Sequence, residues 1–376
     1  MAERSSLRVD TDEQLAALIA LTALPGVSPT RLWQLLALGP PTVVWDRVRR
    51  GSLPARPGAT SPRGVAPEWQ GWAAGIDALA LLDLHRSRKI AVLPFGHADY
   101  PQVLIEDPDP PAVLFTSGPT GLDDRVAVAI VGTRRSTRYG HDVAHALGAE
   151  LAARGILVVS GLAHGIDAAA HAGAASADPA CCVGVVASGL DRVYPANNRG
   201  LWHAVADRGR LISEWPLGAA ARPWRFPARN RLVAALSAAV VVVESPARGG
   251  SMYTVDEAVL RDRSVFAVPG SINSPASIGT NKLIGEGAQL MANTSELAEA
   301  LAPAANQLKL SLEASQPGAT DSGSWLLDLI GWEPITVDGI VASAGRPPID
   351  VTLEIERQLA AGTIARHGVR IERIRP

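Results

Sequence analysis

Six short, nearly unbroken apolar runs recur between residues 126 and 268, at 126–131, 156–160, 182–187, 211–213, 239–244 and 265–268. A strand with one wet face alternates apolar and polar residues, so continuous runs of this length require strands covered on both faces. Amphipathic segments lie between them, among them 141–153 and 252–261. Such segments supply the covering helices and the crossovers that parallel strands need. The pattern predicts an α/β core, an extended Rossmann-like, doubly wound parallel sheet. In such sheets ligands bind outside the carboxyl ends of the strands.

The flanking sequence has a different rhythm. Residues 11–49 carry Leu15, Ala16, Ile19 and Leu21, then Leu32, Leu35 and Leu36, at helical spacing around the turn 24–28. The stretch 51–67, rich in Pro, Gly, Ala and Arg, reads as a loop or linker, and helical pattern resumes over 68–88. Residues 1–90 are therefore expected to form a helical domain ahead of a core at 91–302. Residues 303–324, rich in Pro, Ala, Gln, Ser and Gly, read as a second linker. Residues 325–376 then show three helical segments, 325–330, 337–344 and 350–360, followed by a small hairpin near Gly362, Gly368 and 369–374. That order is expected of a winged helix-turn-helix.

Composition narrows the function classes. A net charge of −2 excludes polyanion binding through bulk charge, so any nucleic-acid site must be a local patch. Three of the 35 basic residues are lysines, Lys89, Lys282 and Lys309; arginine suits phosphate forks and base stacking better, and the codon bias of a high-GC genome is an equal alternative reason for the excess. The adjacent Cys181 and Cys182 fit neither a disulfide framework nor a CxxC site and read as small core residues of a cytosolic chain. No run of about 18 uncharged apolar residues is present, and residues 1–10 carry no apolar leader segment, so neither export nor a membrane span is expected.

Polar residues concentrate where the runs end. The first passes into Gly132-Thr133-Arg134-Arg135-Ser136-Thr137-Arg138-Tyr139-Gly140, with three arginines and three Ser/Thr hydroxyls before a helix start that favours an anion. The second ends in 160–171, where His164, Asp167 and His171 could share a helix face. Further ligands are lacking, so the segment reads as a polar loop and not as a metal site. The third ends in Ser188-Gly189-Leu190-Asp191-Arg192-Val193-Tyr194-Pro195. After the fourth comes the densest basic segment, with Arg222, Arg225, Arg229, Asn230 and Arg231 around Phe226. Cations that track a backbone, interleaved with rings that stack bases, suit single strands; a solvated surface is an equal alternative. The fifth ends in Glu244-Ser245-Pro246-Ala247-Arg248-Gly249-Gly250-Ser251-Met252-Tyr253-Thr254, a second candidate anion cradle, and Asn281 and Lys282 follow the sixth. No nucleophile elbow, Walker A lysine or HExxH is present, which favours binding over catalysis.

In order along the chain, IVGTRRSTRYG (130–140), VVSGLAHGIDAAAH (158–171), ASGLDRVYPANN (187–198), ISEWP (212–216), FPARNRLVAALS (226–237) and GGSMYT (249–254) resemble the DNA-processing protein A (DprA/Smf) family. The resemblance implies a helical, sterile-alpha-motif-like N-terminal domain, an extended Rossmann core and often a C-terminal winged helix. It also implies single-stranded DNA and RecA recombinase as partners, a homodimer, a part in natural transformation, and neither cofactor nor metal. Carried over by motif, Gly132, Thr133, Arg134, Arg135, Ser188, Gly189, Arg229, Asn230, Arg231, Gly250, Ser251, Asn281 and Lys282 are the expected nucleic-acid-binding positions. Ala187, Asn198 and Tyr253 depart from the family pattern. The alternative is a nucleotide phosphoribohydrolase of the lysine-decarboxylase-like (LOG) family, of whose turn Gly249, Gly250, Thr254 and Glu257 are reminiscent at stretched spacing.

Overall fold

The computed structural model describes residues 7–53, 67–118, 122, 125–297, 301, 325–330, 335–344, 347–360, 363–367 and 370–373. The expected linker at 303–324 and most of the loop at 51–67 lie outside these residues. The chain divides into two compact units, Met1–Leu312 and Glu313–Pro376.

All six apolar runs are strands: β3 (Ala127–Val131), β4 (Leu157–Ser160), β5 (Cys182–Val185), β6 (Arg210–Ser213), β7 (Ala239–Val242) and β8 (Ser264–Ala267). They pair in parallel, with Val128 opposite both Val158 of β4 and Ala239 of β7. Three strands lacked a sequence signal. β1 (Ala91–Pro94) and β2 (Val113–Ser117) add an antiparallel edge beside β6, and the two-residue β9 (Gln289–Leu290) closes the other edge. The order across the nine strands is β1-β2-β6-β5-β4-β3-β7-β8-β9.

The continuous apolar runs have the expected cause. Val128, Ile130 and Val158 face a core with Ala144, Leu147 and Leu151 of α7 (Arg138–Ala153) and Ala170 of α8 (Ile166–Ala177). Their neighbours Ala129, Val131 and Val159 face a second core with Leu232 of α10 (Arg225–Ala235) and Val255 of α11 (Met252–Val259). Each buried Val or Leu contributes about 1.5–3 kcal/mol, so both faces are strongly specified. The direction of winding reverses between β3 and β7, which is where a crevice opens.

The N-terminal helices α1 (Asp12–Thr22), α2 (Pro29–Leu36), α3 (Pro41–Arg50), α4 (Pro67–Ala74) and α5 (Ala78–Ser87) belong to the same compact unit as the sheet. Trp33 Nε1 donates to the Pro110 carbonyl at 2.8 Å. His85 is buried; its Nδ1 lies 2.7 Å from the Leu81 carbonyl while its Nε2 accepts from the Leu217 N–H at 3.1 Å. Those partners require the neutral tautomer protonated at Nδ1, consistent with a pKa held down by burial.

The short helix α6 (Gln102–Ile105) leads into an acidic loop, and α9 (Arg199–Arg208) follows β5. Asp107 of that loop holds Arg261 through Nε at 2.6 Å, both side chains 2% exposed. Beyond β8, α12 (Ile278–Gly285) precedes β9. The second unit contains α13 (Trp325–Leu329), β10 (Ile335–Thr336), α14 (Val337–Ala344), α15 (Pro348–Ala360), β11 (Ile364–His367) and β12 (Arg370–Arg373). Its sheet runs β10-β12-β11 over a core of Leu326, Ile340, Val351, Ile355 and Ile371.

Candidate functional site

The carboxyl ends of β3, β4 and β7 and the first turns of α10 enclose an open cleft of about 1040 Å³, solvent at its mouth included. Gly132, Thr133 and Arg134 come from the loop after β3, and Phe226, Arg229 and Asn230 from α10. Arg248, Gly250 and Ser251 come from the loop after β7. A smaller pocket adjoins it, where Ser188, Tyr194 and His164 join Arg134, Phe226 and Arg229. Arg134, Arg229 and Arg248 face a single carboxylate in the larger cleft, that of Asp167. The chain is acidic overall, yet this cleft is locally basic.

Two buried acids hold the loops in place. Glu244, 1% exposed at the end of β7, accepts from the Thr137 N–H at 2.8 Å and from the Thr137 hydroxyl at 2.5 Å, and its carbonyl accepts from the Thr133 N–H at 2.7 Å. Gly140 makes this possible, since a Cβ there would lie 2.2 Å from Glu244 Cδ. Asp167 accepts from the N–H groups of Gly161 and Ala163 at 3.1 and 3.4 Å. Burial pushes its pKa up, and the guanidinium of Arg229 opposes that shift. Of His164, Asp167 and His171, Asp167 clamps the loop, His164 lines the smaller pocket and His171 is buried; no group of three or more potential metal ligands occurs among the described residues.

The arginines divide into exposed and buried ones. Arg134 is exposed, its guanidinium 5.2 Å from the centroid of the Phe226 ring, which in turn packs at 5.3 Å on Tyr194. Arg229 is 5% exposed and donates through Nη1 to the Val185 carbonyl at 2.5 Å. It passes so close to Gly161 that a Cβ there would sit 1.9 Å from Nη1. Burial lowers its pKa to about 10, which leaves it charged at neutral pH. Arg231, two residues on and so on the opposite side of α10, is itself buried, pairs with buried Glu214 and part-exposed Asp109, and does not line the cleft.

The remaining sequence-derived positions separate in the same way. Asn230 donates to the Gly250 carbonyl at 3.3 Å and joins α10 to the β7 loop. Ser251 is buried and donates to Ser245 Oγ at 2.9 Å. Arg135 is exposed next to Arg134, but its N–H is taken by Thr133 Oγ1. The N–H groups of Thr133, Arg135 and Thr137 are thus all used internally, so this loop meets an anion chiefly through its arginines. Ser188 reaches the smaller pocket, whereas Gly189 packs under the Ala219 carbonyl. Asn281 brackets both polar groups of Gly270, and exposed Lys282 pairs with Glu286; neither lines the cleft. Glu257, the carboxylate of the phosphoribohydrolase reading, pairs with Arg261 outside the cleft. Arg248, Tyr194 and Glu244 lie in strand-end loops that the sequence marked but were not among the expected nucleic-acid-binding positions. Asn198, where the family pattern is broken, donates to the Leu162 and Ala163 carbonyls and supports the β4 loop.

An open parallel sheet with an arginine-lined crevice at its switch point defines a Rossmann-like protein whose site suits an extended anionic ligand. Residues 91–302 match the family model described as DNA recombination-mediator protein A. The DNA processing protein DprA of Bacillus subtilis (strain 168) is 38% identical over 222 residues, 59% of this chain and 74% of the relative. The solved DNA processing protein A of Streptococcus pneumoniae aligns with a TM-score of 0.61 at 28% identity, over 77% of this chain and 98% of that one. DNA processing protein A from Helicobacter pylori, whose structure concerns its single-stranded DNA binding mode, aligns with a TM-score of 0.53 at 32% identity, over 57% and 97%. The chain belongs to the DNA recombination-mediator protein A family.

Proposed function

We propose that this chain binds single-stranded DNA in the strand-end cleft, shields it, and delivers it to RecA recombinase during natural transformation and DNA recombination. It works as a cytoplasmic homodimer, stoichiometrically, without cofactor or catalytic step. The observation that carries this reading is the cleft wall, three arginines against one carboxylate in a chain of net charge −2. Arg134 and Arg248 meet phosphates, while Phe226 and Tyr194 offer faces to unpaired bases. The single-stranded DNA binding mode of the Helicobacter relative supports the same assignment.

Helices α1–α5 are assigned as the sterile-alpha-motif-like domain, and the order of helices and strands in 325–376 supports a winged helix. With six arginines against seven acids over 323–376, that unit is assigned to protein contact, because a duplex reader needs a basic surface. Competition tests the reading. Labelled oligo-dT bound by the full chain is displaced by unlabelled single strands and survives an equal mass of duplex. Equal displacement by both would refute it.

A further inference from the structure

The arginine-lined cleft leaves the placement of the exposed aromatic rings unexplained. Among the described residues four Phe, Tyr or Trp side chains are exposed: Tyr139 at 49%, Tyr194 at 42%, Trp224 at 40% and Tyr253 at 57%. All four stand at the carboxyl ends of sheet strands. Tyr139 opens α7 after β3, Tyr194 lies between β5 and α9, Trp224 caps α10 after β6, and Tyr253 opens α11 after β7. In the order of those strands they run Trp224, Tyr194, Tyr139, Tyr253. The four strand spacings from β6 to β7 cover about 19 Å at about 4.8 Å each. Exposed aliphatic side chains show no such restriction, since Val43 and Leu79 lie on the N-terminal helices and Leu353 on α15.

Three of these rings are held in place. Trp224 meets buried Trp215 edge to face, with centroids 6.2 Å apart, and the guanidinium of Arg225 lies 5.2 Å from the centroid of each. Arg225 is itself fixed by a 2.7 Å hydrogen bond to the Ala220 carbonyl. Tyr194 rests on Phe226, and the Tyr139 hydroxyl donates to the Pro269 carbonyl at 2.9 Å. A ring already fixed in place loses little freedom when a ligand stacks on it. Tyr253 lines the cleft wall directly, whereas Trp224 stands outside the cleft lining.

We infer that Trp224, beyond the cleft on the β6 side, and Tyr253, on the cleft wall at β7, are stacking platforms for nucleobases, with Tyr194 in the smaller pocket between them. The inference rests on the reading of the cleft as a single-stranded DNA site. It extends the base contacts assigned to Phe226 and Tyr194 to two further rings, and such contacts are indifferent to sequence because every base has a π-face. The arginines hold the strand by its phosphates; the rings hold it by its bases.

The test uses the full chain with W224A and Y253A, titrated with oligo-dT and with an abasic oligomer of equal length and charge. Each variant is expected to bind oligo-dT about tenfold more weakly and to bind the abasic oligomer as the wild type does. W224F and Y253F restore affinity, while W224L, which keeps apolar bulk without a π-face, stays weak. Should W224A fail to fold, the contrast between W224F and W224L decides the point. Alanine variants that bind oligo-dT like the wild type, or that lose the abasic oligomer equally, overturn the platforms and leave the cleft reading intact. A wild type that does not bind oligo-dT overturns both.

Discussion

Glu244 and Gly140 form a contact whose removal can be worked out in advance. The Glu244 carboxylate takes two hydrogen bonds from Thr137. Bonds to a charged acceptor are worth about 1.5–3 kcal/mol each, and the lower end applies because Thr137 is exposed and water can reach its freed donors. Glu244→Ala is therefore expected to cost about 3 kcal/mol, and Glu244→Gln, which keeps one acceptor, about half of that. Gly140→Ala attacks the same contact from the other side, because the three atoms nearest its new Cβ all belong to Glu244, at 2.2 to 2.7 Å. In the wild-type background it expels the carboxylate and destabilises. In the Glu244→Ala background those three atoms are gone, and the intrinsic advantage of alanine over glycine in a helix, about 1 kcal/mol, is expected to make the change neutral to stabilising. Urea denaturation of the four proteins in this cycle reads the sign directly. The affinity for oligo-dT should fall with stability in both single variants, since the same contact shapes the arginine loop. A Gly140→Ala effect of equal size and sign in both backgrounds would refute the coupling.

The remaining predictions concern pH. Burial, with the charge of Arg229 adding to it, depresses the His171 pKa to about 4 from 6.5. Between those values the unfolded chain binds the proton and the folded one does not, so this group costs stability as pH falls, by about 3 kcal/mol between pH 7 and pH 4. Glu214 acts oppositely. Burial raises it to about 7, so it favours the folded state in acid and loses that contribution as pH rises from about 4.5 through 7. The difference between wild type and His171→Leu removes the Glu214 contribution: the variant should lose about 3 kcal/mol less on acidification, read by urea midpoints at pH 7 and pH 4. Parallel pH profiles for the two proteins would contradict the assignment.

The sheet interior was legible because a parallel strand covered on both faces needs an apolar residue at every position, as 239–243 shows. The antiparallel edge was not. β1 carries only Ala91–Pro94, and β2 follows a proline-rich stretch that reads as a loop. At the cleft, glycine and arginine in the sequence marked loops that line it, those after β3 and β7 among them, but sequence could not sort the arginines by side. Arg229 and Arg231 belong to one basic motif, and the helical rotation of about 200° between them sends one to the cleft and the other to Glu214 and Asp109. Those acids were visible in the sequence, but their meeting with α10 is a tertiary fact. Glu244 likewise read as the end of a strand, and its role as anchor of a loop 107 residues away appears only in the fold.

The different burial of Arg134 and Arg229 decides which substitution is informative. Arg229→Glu would place a second carboxylate beside buried Asp167 and fail through misfolding. Arg134 is exposed, so its reversal leaves the core untouched. The most direct measurement is therefore the salt dependence of oligo-dT binding by the wild type and by Arg134→Glu. Arg134→Glu should lose at least about tenfold in affinity and show a log–log slope shallower by about 0.7 for the phosphate contact removed. The same affinity and the same slope in both proteins would contradict it.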